Sequence, residues 1–294
     1  MKDKLAIILF HAVLIGALLL AACAAPGQVA VNTPQGRIQS YPPTIEDTPQ
    51  RRQAAQEAWK KFLAEFRLPD VAPDLEPVLN TPRALPPGLM GRIVLNTKTG
   101  LFGQLEAKEA MRRFIERASG VLFPDHTNSP AQGSTQGSIG LKDLSLVSFT
   151  SDGNFYRAVY RQASYPFQIE GGYGELRLAV GKDGTLLQWG SRIIPVFDLP
   201  ARAEIASQSI QSIMDGMVGR EFIYSNIAGQ AMSYKVKDRS EVSVKDLVVY
   251  PKQAGNRITI HLAHPVEVGS GMTWTIYVDA ITGQEIDVKQ NFVS

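Results

Sequence analysis

Histidines, carboxylates and one cysteine are the groups in this sequence that could do chemistry. The histidines are His11, His126, His261 and His264. A zinc hydrolase of the H-E-x-x-H kind needs two histidines one helical turn apart, with a glutamate between them as general base. No such stretch occurs. His261 and His264 stand three apart in "RITIHLAHPVE", which reads as a strand. That spacing points them to opposite faces, so they do not easily hold one ion together. Nucleophile signatures fail as well. There is no G-x-S-x-G, and "GGYGEL" and "VGSGMTW" lack the third glycine and following helix of a phosphate cradle. Asp238 and Glu241 read as solvated surface charge. No catalytic residue, metal or cofactor is expected.

Asp279 is the carboxylate in the most suggestive place. In "WTIYVDAITGQEIDV" the residues Trp274, Ile276 and Val278 alternate with Thr275, Tyr277 and Asp279, the period of a strand with one buried face. Gly283 follows, and alternation resumes at Ile286 and Val288. An aspartate leaving a strand accepts backbone N–H groups of the turn it starts, and a glycine supplies the positive φ of the return. Asp279 and Gly283 therefore read as turn residues. Asp183 and Gly184 read the same way.

The cysteine is Cys23, so no intramolecular disulfide and no Cys-based metal site can form. Lys2 and Lys4 precede the apolar run Leu5 to Leu20, and Leu20-Ala21-Ala22-Cys23 follows. Basic, apolar, small is the layout of an export signal. The Leu-Ala-Ala-Cys ending resembles a bacterial lipobox, which implies cleavage before Cys23 and a lipid on its thiol. An uncleaved membrane helix is the alternative. Either places the remainder outside the cytoplasm, anchored to a cell membrane or outer membrane.

Lys+Arg is 30 against Asp+Glu 28, and this balance argues against nucleic acid as a partner. Hydrophobic residues make up 44% of the 294, enough for a substantial core. Residues 23–50 are proline-rich and aperiodic and read as a flexible tether. Ala55, Ala58, Trp59, Phe62, Leu63 and Phe66 then fall on one helical face, with Thr48-Pro49 as the start. Residues 68–88 read as irregular chain on a surface, and 127–140 as a Gly/Ser/Gln loop. Two more helices are predicted in "QLEAKEAMRRFIERASG" and "RAEIASQSIQSIMDGMVG". Strand-like runs joined by short turns follow each, including "LSLVSFT", "NFYRAVYRQ", "GELRLAV" and "TLLQWGSRI" after the first. Helix-then-meander, twice, predicts an α+β class built as two helix-plus-antiparallel-sheet units in tandem. Their final hairpins, "ELRLAVGKDGTLLQW" and "WTIYVDAITGQEIDV", are alike. The aromatics Phe155, Tyr156, Tyr160, Tyr165 and Phe167 read as sheet packing.

"TWTIYVDAITGQEIDV" resembles the closing hairpin of a PepSY domain, a module of thermolysin-like peptidase propeptides. "VYRQASYPFQIEGGYGELRLAVGKDGTLLQWG" resembles the companion fungalysin/thermolysin propeptide (FTP) domain. With the export-signal layout giving a signal peptide over 1–22, the resemblance implies an N-terminal helix plus FTP-like domain over 51–197 and a PepSY-like domain over 198–294. It implies a non-enzymatic, propeptide-like protein that binds a secreted or envelope metallopeptidase in trans and restrains or assists it. The tail Lys289, Gln290, Asn291, Phe292, Val293 and Ser294 would be the segment able to enter a peptidase cleft. The alternative is an envelope sensor or scaffold lipoprotein that binds a membrane protein or peptide by its sheet edges.

Overall fold

The computed structural model describes residues 29–32, 38–95, 102–123, 139–203 and 207–292. Cys23, His11, His126, Val293, Ser294, the expected signal and most of the 127–140 loop lie outside the described residues. The N-terminal half runs β1 (Val29–Asn32), β2 (Ile38–Tyr41), β3 (Thr44–Glu46), α1 (Pro49–Glu65), β4 (Asp74–Leu75), β5 (Pro82–Ala84), α2 (Gln104–Arg117), α3 (Ser119–Leu122), β6 (Leu144–Ser151), β7 (Phe155–Gln162), β8 (Gln168–Ile169), β9 (Glu175–Gly181) and β10 (Leu186–Ser191). The C-terminal half runs α4 (Ser207–Met217), β11 (Glu221–Ser225), β12 (Ala231–Lys235), β13 (Val242–Val244), β14 (Val248–Ala254), β15 (Arg257–Val268), β16 (Trp274–Asp279) and β17 (Glu285–Gln290). Few helices and several antiparallel sheets make this an α+β protein. Among the described residues no helix is long and apolar enough to cross a membrane.

Helix α1 starts where Thr48 accepts the Arg51 N–H at 3.3 Å, with Pro49 in the first turn. Its buried face, Trp59, Phe62 and Leu63, meets Met111, Phe114 and Ile115 of α2. Both helices cover the antiparallel sheet β10-β9-β7-β6. Alternation decides the sheet's inner face: Tyr156, Ala158 and Tyr160 of β7 are buried, and so are Leu176, Leu178 and Val180 of β9. Trp189 of β10 is the centre, with ring centroids 5.0 Å from Phe62, 5.5 Å from Phe114 and 5.8 Å from Trp59. Gly120, which in sequence suits the end of this helix, does not stop α2. Ala118 caps it and α3 carries on to Leu122, which is buried.

The second sheet is organised by β15. One side of this 12-residue strand carries β14 at Arg257–Ala263 and β13 at Val266–Val268. The other carries β3 at Arg257–Thr259 and β16 at Ala263–Val268, with β17 beyond β16. The run "VKDLVVY", which reads as one strand in sequence, is interrupted at residues 245–247 between β13 and β14. Beneath one end of β15, the hairpin β11–β12 and α4 close a third cluster on Val266, Val268, Trp274 and Ile276. Strand β11 is not among the strands the sequence suggests: Phe222 and Tyr224 turn inward, but Ile223 between them is an exposed apolar residue that hides the alternation.

Two expectations from composition need correction. Residues 41–50 are not free tether: Tyr41 and Ile45 are buried, β3 pairs with β15 and Thr48 caps α1. Residues 68–88 do not lie on a surface throughout, since Val78, Leu79 and Leu85 are buried. Proline content sets backbone stiffness but not depth. Contacts also run across the expected 197/198 boundary. β8 pairs in parallel with β14. One core cluster joins Tyr41, Ile45, Leu79, Ile169, Phe197, Leu199, Val249 and Ile260. The connection is pinned by polar side chains as well: Gln162 exchanges two bonds with the Ile194 backbone, and the Tyr165 hydroxyl accepts the Phe197 N–H while donating to the Pro195 carbonyl.

Trp189 fills the space between both helices and the sheet. Trp189→Ala is expected to destabilise the protein by about 3–5 kcal/mol. A urea unfolding curve monitored by far-UV circular dichroism reads this as a lower midpoint with an unchanged slope.

Candidate functional site

Asp279 closes β16 and is only 2% exposed. Its Oδ1 accepts the N–H groups of Ile281 and Thr282, each at 2.9 Å. Gly283, at φ 74°, returns the chain by donating to the Asp279 carbonyl. The first hairpin has the same device: Asp183 Oδ1 accepts the Thr185 N–H at 2.9 Å, and Gly184 sits at φ 84°. Asp183 is held below the usual carboxylate range by that backbone bond.

Asp279 does more than turn the chain. Its Oδ2 lies 2.7 Å from His261 Nδ1 and accepts the Tyr41 hydroxyl at 3.0 Å. An ionised carboxylate only accepts, so His261 Nδ1 carries the proton of that bond. The Tyr41 hydroxyl in turn accepts the Leu262 N–H at 2.8 Å. That amide falls in the gap on one side of β15 between β3 and β16. Burial works against the charge on Asp279, but the bonds from His261, Thr282 and Ile281 outweigh it and lower its pKa. Burial, and next the Asp279 charge, raise the pKa of Tyr41. The arrangement is a closed polar hub, with every acceptor site of Asp279 in use.

The sheet bears a second construction beside the hub. Tyr250 of β14 and Tyr277 of β16 flank β15 and lean together over Ala263, with ring centroids 3.8 Å apart. Only a small side chain between them leaves room for this stack. The rings cross: Tyr277 donates to Glu170 after β8 at 2.6 Å, and Tyr250 donates to Asp287 of β17 at 2.5 Å. Lys252 also pairs with Asp287. Both tyrosines are raised, by burial first and then by the carboxylate each one faces. Asp287 is lowered: burial opposes its charge, but Lys252 and Tyr250 prevail.

Next to this stack an open groove of about 780 Å³ runs between the segment 166–170 and residues 245–248. Phe167, Glu170, Lys245, His264, Glu267 and Tyr277 are among its walls. Lys245 and Glu267 pair across it at 2.6 Å. His264 faces away from His261: it stands opposite Val278 in the ladder, with Nδ1 3.4 Å from the Lys245 carbonyl, whereas His261 turns to Asp279.

The expected free tail is held down as far as Phe292. Lys289 and Gln290 belong to the β17 ladder, the Asn291 N–H donates to the Thr273 carbonyl, and Phe292 stands edge-on to Trp274 at 5.0 Å and to Tyr224 at 5.4 Å. The ladder register carries the chain there and the aromatic cluster retains it. Only Val293 and Ser294, outside the described residues, are left of that segment. Sequence reasoning missed Tyr41, His261, Glu170 and the Tyr250–Tyr277 pair. The available signals were one aromatic in a proline-rich stretch and an alanine between β-formers, each too common to single out.

Tyr41→Phe removes an acceptor from Leu262 and a donor from Asp279, both buried. A loss of about 1–3 kcal/mol in chemical denaturation is expected. The acid limb of stability reports on Asp279. Its folded pKa lies below the unfolded value of about 3.9, so its contribution is present above that pH and is lost as pH falls through the folded pKa. Asp279→Asn should flatten the fall of Tm between about pH 5 and pH 2 in differential scanning calorimetry.

No family model matches the chain, and no curated protein matches it. Among solved structures, the "Bacillus megaterium YpeB C-terminal domain" aligns with 83% of this chain and 98% of that one, at 12% identity and a TM-score of 0.28.

Proposed function

We propose that this chain is a non-catalytic binding protein, anchored outside the cytoplasm by a lipid on Cys23, whose partner is a secreted or envelope metallopeptidase that it restrains or assists. The observation that carries this reading is the commitment of the acid groups, the exposed Asp246 of the groove excepted. Around the groove and its neighbouring hub, Glu170 holds Tyr277, Glu267 holds Lys245, Asp287 holds Tyr250 and Lys252, and Asp279 holds four donors. A carboxylate engaged in this way is a poor general base, and one with a lowered pKa has no proton to give near neutral pH. The groove supports binding instead. Its volume falls within the range of about 300–1,000 Å³ typical of ligand sites. The half-buried ring of Phe167 and the exposed Lys245 along it suit an extended peptide segment. With the tail docked through Phe292, contact with a peptidase runs through this groove.

The test uses the full-length chain in detergent with a panel of thermolysin-like enzymes. Slowed peptide hydrolysis and a stable complex are expected, with both weakened by Phe167→Ala and by Lys245→Glu. Neither slowing nor complex formation across the panel would remove the peptidase as partner. The anchor has its own check: Cys23→Ser should move the protein from the membrane fraction to the soluble one.

A further inference from the structure

The β11–β12 hairpin presents a surface that the reading above does not use. From Phe222 to Tyr234 it carries no charged residue. Its tip is the turn at 226–230, where Ile227 is 94% exposed. Ile223 on β11 is 77% exposed and Met232 on β12 43%. Exposed aliphatic residues standing singly are ordinary on a protein surface. Here three share one ribbon from which charge is missing. Leu105, the other strongly exposed aliphatic, is followed by Glu106 and Lys108.

The ribbon is braced at both ends. In its stem, Phe222 stacks on Trp274 at 4.8 Å, Tyr234 lies 5.2 Å from the same ring, and the Tyr234 hydroxyl accepts the Ser270 N–H at 3.0 Å. At the tip, the Asn226 N–H donates to the Gln230 carbonyl and the Gly229 N–H to the Asn226 carbonyl. The Asn226 amide also donates to Gln230 Oε1 at 3.1 Å, and its Oδ1 accepts the Gln230 N–H at 2.9 Å. The polar side chains of the turn are thus spent on one another, and Ile227 is what the turn offers outward. Charges begin again at the foot, where Arg220 pairs with Glu285 and Glu221 stands opposite Lys235. They offset one another, so a surface met by this tip needs no charge of its own.

We propose that this hairpin is a wedge that dips into the headgroup–acyl boundary of a lipid bilayer, with Ile227 as its leading side chain. The proposal takes from the reading above only that the chain is anchored to a membrane. Shape favours lipid over protein. A specific protein contact takes about 800 Å² from each side, fitted surface to surface. A two-stranded tip led by one side chain offers little of that, and a fluid layer needs no matching pocket. The charge-free length agrees. From the Glu221–Lys235 rung to Asn226 is five strand steps, roughly 16 Å. Interfacial segments sit about 5–10 Å into the boundary, which leaves that rung in water. The Ile227 and Ala228 amides have no partner among the described residues. The tip therefore stops where water and headgroups still reach, short of the bilayer centre. One aliphatic side chain binds weakly on its own. On an anchored chain the second contact is intramolecular, and its effective concentration is high.

The experiment places the full-length chain in neutral phosphatidylcholine vesicles whose acyl chains carry bromine, a short-range quencher of tryptophan. Trp59, Trp189 and Trp274 are buried and set the baseline. Ile227→Trp should be quenched about twofold or more beyond it, and equally so in about 1 M salt, where surface charge is screened. Asn256→Trp should stay at the baseline, because it precedes β15 at the end remote from Val266 and Val268, which pack under the hairpin. Tryptophan itself favours interfaces, so wild type and Ile227→Asp are also compared by hydrogen exchange on vesicles without bromine. Amides of 222–234 should exchange about threefold or more faster in the variant. Amides of β9 check that the fold is kept; should they change, Ile227→Ser takes the place of the aspartate. Equal exchange, or an unquenched Ile227→Trp in a chain that floats with the vesicles, overturns the wedge and leaves the anchor standing. A chain that does not float overturns the anchor and the wedge with it. Protection of 222–234 that follows protein concentration instead of lipid assigns the tip to a second copy and overturns the proposal.

Discussion

The hydroxyl of Tyr41 occupies the place of a missing strand. β15 is longer than any of its partners, so two strands lie end to end along each side. On one side, β3 stops at Thr259 and β16 begins opposite Ala263. A buried amide in such a gap costs free energy comparable to a lost hydrogen bond. The Tyr41 hydroxyl accepts that amide from Leu262 and passes its own proton toward Asp279, which also holds His261 and the turn. One carboxylate thus ties four separate pieces of chain together: the segment before β3, the middle of β15, the end of β16 and the start of the final turn. The hub can keep its charge in a buried place because every acceptor direction is filled, and a partly satisfied version would be worse than an apolar one.

The same logic joins the two halves of the protein. The connection at 192–199 is bonded along its backbone by Gln162 and Tyr165, and the core beneath it draws residues from both sides. Across the sheet, the crossed pair Tyr250–Tyr277 reaches from β14 to β17 and from β16 to the segment after β8. The groove is walled by that segment and by residues 245–248, so its width is set by these braces. A surface held in this way would give up little conformational entropy if a partner docked on it.

Local pattern made much of this legible. The α1 face, with Thr48 as its cap, and the alternation in β7, β9 and β16 follow from side-chain period alone. So do the two Asp–Gly turns, because a carboxylate accepting backbone N–H groups two and three residues on is a short-range event. The docked tail was less accessible. "KQNFVS" looks like a loose end until Trp274, Tyr224 and Phe292 come together from three distant positions.

By itself the sequence determined the α+β class, the helical and strand periods, and the turn at Asp279. These depend on neighbours within a few residues, where φ/ψ preference and hydrophobic period act directly. Tertiary structure alone decided that Asp279 is also a buried hub, that Tyr41 belongs to a sheet and not to a tether, and that two tyrosines meet over Ala263. Each of these joins groups between 13 and 238 positions apart. Such contacts follow from the register in which strands meet, and a one-residue slip in that register would send every one of these side chains to the opposite face.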